Sequence, residues 1–346
     1  MIEIDGSEQS GSGTIVRYGV ALATLTREPL RIIRIRAKRP KPGLRPQHLS
    51  AVQACCTLSG GRAEGAHVGS TEMTYWPGAA TRGGDFRVDI GTAGSTTLAA
   101  LTLIPSCLFA SSLSRITITG GLFQDFAPSF FHTQRVLVPL LGLMGASVRM
   151  EMIRPGYFPK GGGEIRLEVQ PIGRALDPLS LVDRGAVSGV EGVALASHLK
   201  DRKVAQRMAE RARGHLHARR LPAEIELVED STAVQSGAAL ALWARTDTGC
   251  LLGSDQAGKP RRRSEAIADF VVRALLEDLD SGATIDRHAA DQLILFGALA
   301  KGTTRYRIPS VTDHVTANRW LVEKMLRVQT RRIGNLLEVE GMGYRA

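Results

Sequence analysis

The sequence predicts a mixed α/β (α+β) fold of repeated α/β units, with a smaller α/β domain inserted into the larger one. Three observations carry this expectation. Helix-like and strand-like segments alternate along the chain, one unit echoes another, and the composition shifts near Asp183-Arg184-Gly185 and again near Ser281-Gly282. Residues 14–26 are apolar enough for a helix and follow the small-residue turn Ser10-Gly11-Ser12-Gly13. Residues 30–35 read as a β-type segment, and 47–58 as a second helix stopped by Gly60-Gly61. The echo comes next. Trp76-Pro77 leads to Gly83-Gly84-Asp85-Phe86-Arg87-Val88, and Phe158-Pro159 leads to Gly162-Gly163-Glu164-Ile165-Arg166-Leu167. Each is an aromatic-proline turn, two glycines, an acid and an alternating strand, and each follows a helix, 47–58 or 129–144. This predicts a duplicated α/β unit. From 183 to 282 the chain offers a strand, a basic helix over 199–216, a strand over 224–228, a hairpin turning at Asp247-Thr248-Gly249 and a helix capped by Ser264. The expected division is a large domain in two parts, 1–182 and 283–346, with 183–282 inserted.

Composition narrows the function. A chain of 346 residues, 43% hydrophobic, has room for two or more packed units. Its net charge of +10 implies attraction to polyanions, nucleic acid ahead of an anionic membrane. No apolar run approaches the ~18 residues that span a bilayer. Met1-Ile2-Glu3-Ile4-Asp5 lacks the basic-then-apolar order of a signal peptide, so a cytoplasmic location and no membrane partner are expected. Cys55, Cys56, Cys107 and Cys250 show neither Cys-x-x-Cys nor paired-histidine spacing, which predicts buried, reduced thiols instead of a zinc site or disulfides. Aromatic residues make up only 5%, which disfavours a base-stacking platform; nucleic acid would be gripped by its backbone or its end.

The segment that best fits such a grip is the loop bearing Arg36, Lys38, Arg39, Lys41 and Arg45 among Pro40, Pro42 and Pro46. Proline presets φ and stiffens the turn, and guanidinium groups held in place can grip phosphate oxygens bidentately. Ser10-Gly11-Ser12-Gly13 before a helix suits an anion, yet no Gly-Lys-Ser/Thr follows it. Arg17 falls one turn into an apolar helix, where a cation seeks a partner or a ligand. Ile90-Gly91-Thr92-Ala93-Gly94-Ser95-Thr96-Thr97 is a second small-residue turn opening a helix, explained by backbone approach to a ligand or by close packing. Gly161-Gly162-Gly163 implies a close backbone approach or an unusual turn. Lys259-Pro260-Arg261-Arg262-Arg263 reads equally as solvated surface or as a second RNA contact. His314 opens a helix running to Leu326, capped by Asp313 or Thr312; there the helix dipole favours neutral imidazole, the nucleophilic form.

Together these segments resemble the RNA 3′-terminal phosphate cyclase family over nearly the whole chain. The matches are Asp5-Gly6 with Arg17, Arg36-x-x-Arg39-x-Lys41-Pro42-Gly43-Leu44-x-x-Gln47-His48-Leu49, Arg82-Gly83-Gly84-Asp85, Gly91-x-Ala93-Gly94-Ser95, Gly120-Gly121 with Ala127-Pro128, Gly156-x-x-Pro159-x-Gly161-Gly162-Gly163, Asp291-Gln292-Leu293, and His314 with Asn318. The resemblance implies repeated α/β units similar to the C-terminal domain of translation initiation factor three. It implies an ATP-dependent enzyme that turns an RNA 3′-phosphate into a 2′,3′-cyclic phosphodiester, with His314 forming a covalent phosphoramidate to AMP. Arg17, Arg36 and Arg39 would neutralise phosphates, with Gln47 as a polar neighbour. Pro128 and His288 would sandwich adenine, His288 replacing a more familiar tyrosine, and Gly94, Ser95, Asp291 and Gln292 would complete the nucleotide site. The implied partners are ATP, a divalent metal (Mg or Mn) and RNA ending in a 3′-phosphate.

Three positions depart from the family pattern. Ser10 stands where a glutamate would help hold the metal, Leu101 where a glutamine would help bind the nucleotide, and Phe131 where an aspartate follows the Ala-Pro pair. The metal ligands are therefore left unassigned. The alternatives are a catalytically silent RNA-binding relative, opposed by His314, and a polynucleotide adenylyltransferase that does not cyclise.

Overall fold

Strand, helix, strand, helix and a closing hairpin recur three times along this chain. The computed structural model describes residues 1–9 and 11–345. The first copy is β1 (Ile2–Asp5), α1 (Thr14–Thr26), β2 (Leu30–Ile33), α2 (Pro46–Ser59), β3 (Arg62–Glu64) and β4 (Met73–Trp76). The second is β5 (Gly84–Asp89), α3 (Thr96–Leu108), β6 (Ser114–Gly120), α4 (Phe130–His132) and α5 (Val138–Leu143), then β7 (Ser147–Arg154) and β8 (Gly163–Gln170). A third opens with β9 (Ser180–Leu181) and is then interrupted by β10 (Val187–Ser197), α6 (Val204–Ala218), β11 (Ala223–Asp230), β12 (Gly237–Thr246), β13 (Leu251–Ala257) and α7 (Ser264–Asp280). It resumes with α8 (Ala289–Leu299), β14 (Lys301–Arg307), α9 (Asp313–Leu326), β15 (Thr330–Ile333) and β16 (Leu336–Met342).

Each copy builds a four-stranded sheet on one plan: β1-β2-β4-β3, β5-β6-β8-β7 and β9-β14-β16-β15. In each, the first two strands are parallel and the last two pair antiparallel. A parallel pair needs a crossover, and the helix that supplies it packs back on the sheet. Strand β8 alternates between buried and more open positions along its whole length, as a strand with one covered face must. Every residue of α8 and nearly all of α1 and α3 are buried, the mark of helices enclosed on all sides. They meet in the core, where α1 packs on α2, α3 and α9, and α8 on α9.

The interrupting segment makes its own sheet, β11-β10-β12-β13, covered by α6 and α7. Arg207 pairs with Glu265, Arg211 with Asp269 and Arg219 with Asp280, an ascending register that sets α6 and α7 side by side and parallel.

Four expectations are corrected. The repeated unit occurs three times, and the echo does not mark it, because its two halves lead into β5 and β8, the first and last strands of one copy. The helix expected over 129–144 is α4, a π turn over Thr133–Leu137 and α5, since Pro139 has no N–H to give the carbonyl of Arg135. The helix expected from 199 begins at Val204, after a 3₁₀ turn and Lys203 at φ 50°. The β-type segment over 30–35 ends at Ile33, with Arg34 and Arg36 at φ 50° and 54°. The cysteines are unpaired as expected, with Cys56 half-buried and the others buried. Among the described residues, no helix is long and apolar enough to cross a membrane.

Candidate active site

The first turns of α1, α2, α3, α8 and α9 converge. Thr14 Oγ1 donates to Asn318 Oδ1 at 2.9 Å, and Asn318 Nδ2 donates to the carbonyl of Asp291 at 2.9 Å. The Tyr18 hydroxyl donates to Gln292 Oε1. Ser95 N–H donates to Gln47 Oε1 at 3.3 Å, and Arg17 Nη1 to the carbonyl of Leu98 at 3.3 Å. Helix starts leave backbone N–H groups without intrahelical partners and carry the positive end of the dipole. Several together favour a phosphate-bearing ligand.

Glycine makes the approach of α1 to α2 possible. Gly13 opens α1 without a side-chain cap, and a Cβ there would collide with His48 Nε2. His48 Nδ1 accepts from Arg45 N–H at 3.1 Å. Burial, then Arg17, Arg36 and Arg45, pushes its pKa down to about 3, so the ring is neutral. The sequence reading assigned no role to His48 or Tyr18; the signal for Tyr18 was a second polar side chain beside Arg17 in an apolar helix.

In the basic loop, Arg36 Nη1 donates to the carbonyls of Lys41 and Gly43 at 2.8 and 3.0 Å, so this arginine staples the loop as well as charging it. Burial, then Arg45 and Arg39, lowers its pKa. Lys38 Nζ donates to the carbonyl of Gln9 at 3.0 Å and ties the loop to the turn before α1. Ser10 lies outside the described residues. Among the described residues Arg39 has no carboxylate within ion-pair distance.

Ser95 caps α3, its Oγ accepting from Leu98 N–H at 3.1 Å. A 2.7 Å contact joins Ser95 Oγ to Thr97 Oγ1, which donates to the carbonyl of the buried Pro128 at 2.7 Å. At Gly94 a Cβ would lie 2.7 Å from Ile90 Cγ2 and 3.0 Å from Gln47 Cβ. At Gly161, with φ 69°, it would lie 2.9 Å from Ala93 Cα, so the triple glycine brings its loop down on the turn that carries Gly94 and Ser95.

His288 precedes α8 and is set by Asp286, whose Oδ1 accepts from the N–H groups of His288 and Ala289 at 2.8 and 2.9 Å. Asp286 Oδ2 accepts from Gly253 N–H at 2.9 Å and lies 3.0 Å from His132 Nε2 in a fully buried pair. Burial opposes charge on both, but mutual attraction and the backbone donors prevail; Asp286 is held well below the carboxylate range and His132 is raised. The His132 ring stands edge-on to His288 with centroids 5.6 Å apart. Burial pushes Asp291 up to about 7 against the pull of Arg17, and its Oδ2 accepts from Gln292 Nε2 at 2.6 Å. Arg17 is itself buried, with Cζ 5.3 Å from the Tyr18 ring centroid.

Thr312, the cap of α9, accepts from Val315 N–H at 3.2 Å. His314 stands in the first turn, open to solvent on one side. Its pKa is lowered first by the protein packed around it and then by Arg17 and Arg39, with Asp313 opposing. The structure therefore gathers His314, Arg17, Arg39 and His288 within electrostatic reach. It puts Gln47 with Ser95, Gly94 and Pro128 on one side, and Asp291 with Gln292 behind Arg17 and Tyr18. Leu101 is fully buried in α3, and Phe131 packs 5.6 Å from Phe130 and 5.3 Å from Phe123, so neither presents a polar group. Among the described residues, no group of three or more His, Cys, Asp and Glu side chains is placed to hold a metal ion.

A family model described as RNA 3′-terminal phosphate cyclase matches residues 8–331. The chain is similar to proteins named RNA 3′-terminal phosphate cyclase from three sources. The Archaeoglobus fulgidus protein is 38% identical over 98% of this chain and 100% of its own length. The Pyrobaculum neutrophilum protein is 36% identical over 99% of each chain. The Methylococcus capsulatus protein is 36% identical over 96% of this chain and 93% of its own. Among solved structures, the enolpyruvyl transferase NikO from Streptomyces tendae aligns with 99% of this chain and 48% of its own, at a TM-score of 0.41 and 12% identity. With the model spanning most of its length and full-length relatives above a third identity, the chain belongs to the RNA 3′-terminal phosphate cyclase family.

Proposed function

We propose that this protein uses ATP to convert an RNA 3′-terminal phosphate into a 2′,3′-cyclic phosphodiester, with His314 as nucleophile. The observation that carries the reading is His314 in the first turn of α9, its pKa lowered by the protein around it and then by the charges of Arg17 and Arg39. Neutral imidazole has the lone pair that attack requires. An imidazole nitrogen of His314 bonds to the α-phosphorus of ATP as the bond to pyrophosphate breaks. An oxygen of the RNA 3′-phosphate then displaces the histidine and takes the AMP. The neighbouring 2′-hydroxyl attacks the 3′-phosphorus, loses its proton and expels AMP. The last step is intramolecular, which removes most of its entropic cost.

Arg17, Arg39 and the converging helix starts would stabilise the charge on the phosphate oxygens, with Arg36 contributing from its stapled position. Pro128 and His288 would enclose adenine, the first held through Thr97 and the second by Asp286. Gly94, Ser95 and Gln47 would shape the adjoining wall, while Asp291 and Gln292 hold Asn318 and Tyr18. A large domain of 1–182 and 283–346 would carry this chemistry, with 183–282 inserted. The resemblance implies a divalent metal, but the described side chains do not fit a protein-held ion.

The test is incubation with α-³²P-ATP and Mg or Mn, then denaturing electrophoresis. An acid-labile label that disappears in His314→Ala is expected, and an undiminished label in that variant removes His314 as nucleophile. No label with either metal favours a silent RNA-binding relative, the reading to which Leu101 and Phe131 lean. Labelling followed by capped but uncyclised ends identifies an adenylyltransferase.

A further inference from the structure

Where α6 and α7 begin, a cavity of about 530 Å³ is walled by Arg202, Arg207, Lys259, Arg261, Arg262 and Arg263, with no acidic residue in its lining. The steps proposed above make no use of it. Three of its cations have a carboxylate partner: Arg207 pairs with Glu265 at 2.7 Å, Arg262 with Asp125 at 2.8 Å, and Lys259 lies 3.6 Å from the same aspartate. Arg202, Arg261 and Arg263 are exposed, and none has a carboxylate partner among the described residues. The cluster thus keeps a strong positive balance. The parallel helices α6 and α7 add their positive ends to it, and Lys203 and Arg263, the residues that open them, make no side-chain capping bond. Cations at helix starts repel the dipole unless an anion lies between them.

Two chain segments link the cavity to the candidate active site. Phe158, 71% exposed on its rim, belongs to the loop that Gly161 lays against Ala93, beside Gly94 and Ser95. Asp125, which anchors Arg262, stands just before Pro128 in the chain. An exposed aromatic ring beside fixed cations suits a single strand, stacking a base while the cations take the backbone.

We propose that this cavity binds backbone phosphates of the RNA strand upstream of its reacting 3′ end. The inference rests on the RNA reading given under Proposed function. Fluorescence anisotropy with a single-stranded RNA of about twelve nucleotides ending in a 3′-phosphate tests it across a salt series. The combined change Arg202→Ala, Arg261→Gly and Arg263→Ala should weaken binding about tenfold or more at low salt. It should reduce the slope of log affinity against log salt by about 2, near 0.7 for each lost contact to a single strand. His314 labelling and turnover of a dinucleotide 3′-phosphate should be unchanged, and lysine at all three positions should restore most of the binding.

Unaltered affinity and slope overturn the proposal. So does an equal loss when Arg327, Arg331 and Arg332 are changed to alanine instead, which would make the effect one of net charge. Loss of inorganic tripolyphosphate binding with RNA binding intact also overturns it, leaving a small-anion site. RNA binding that depends on the three arginines in a protein that never labels with ATP upholds this inference and removes the catalytic reading.

Discussion

As the proposed nucleophile, His314 would have to be unprotonated to attack, and its surroundings work toward that end. The protein around it lowers its pKa, and Arg17 and Arg39 lower it further. A depressed pKa releases the proton at a lower pH than a free imidazole does, near about 6.5. The acid limb of self-adenylylation should therefore lie below that value, with labelling sustained into mildly acidic solution. Arg39→Ala removes one of the cations, so the ring should hold its proton more tightly and the limb should move upward, with a lower plateau from lost phosphate contact. Single-turnover label formation against pH measures both. A limb unmoved in Arg39→Ala would show that Arg39 does not act on the imidazole. Both residues were legible in the sequence, Arg39 from its proline-stiffened loop and His314 from the Thr-Asp pair that begins its helix. His48 was not, because its burial comes from the missing Cβ of Gly13, a contact that only the packing of α1 on α2 creates.

The helices act on the site through a few bonds near their starts, and Asn318 makes two of them. It accepts from Thr14 on α1 and donates to the carbonyl of Asp291 on α8, which fixes the start of α9 and hence His314. Asn318→Ala should cost about 1–3 kcal/mol, because it leaves a buried hydroxyl and a buried carbonyl without these partners. It should also slow adenylylation more than it weakens ATP binding, as a positioning residue does. Urea unfolding and single-turnover kinetics check the two claims, and wild-type behaviour in both would make the bonds incidental. At this scale the sequence was partly legible. Helix α1 follows from its apolar run behind a small-residue turn, α2 from its stop at Gly60-Gly61 and α9 from its Thr312 cap. The echo does not mark the repeat, because Gly84–Asp89 is β5, the first strand of the second copy, and Gly163–Gln170 is β8 in the hairpin of that same copy. The third copy was not legible because its first strand is two residues long and the interrupting segment separates that strand from α8. The π turn between α4 and α5 was available in Pro139, whose effect is local and steric.

Net charge pointed to a polyanion from the start, but how the segment between β9 and α8 is joined to the repeats depends on contacts that no local pattern encodes. Arg262 reaches Asp125 bidentately at 2.8 and 2.9 Å with only 14% of its side chain exposed. Asp255 accepts from Ser129 N–H at 2.7 Å, Ser197 Oγ meets the Tyr157 hydroxyl at 2.7 Å, and Gly253 N–H donates to Asp286 at 2.9 Å. These bonds lie in buried or half-buried surroundings, where breaking one leaves a partner unsatisfied. The α6–α7 layer should therefore not swing or melt on its own, and unfolding should be a single cooperative transition although the described residues form four sheets. Trp243 on β12 reports on this segment, and Trp76 and Trp320 report on the rest. Urea midpoints from a Trp76→Phe/Trp320→Phe protein and from a Trp243→Phe protein should coincide once each is referred to its own circular-dichroism transition. Asp125→Ala should lower both together, since it strands Arg262 at the junction. A Trp243 transition that precedes the other would show that the segment unfolds independently, and would make the grip on RNA proposed for it a matter of a tethered module instead of a rigid extension of the candidate active site.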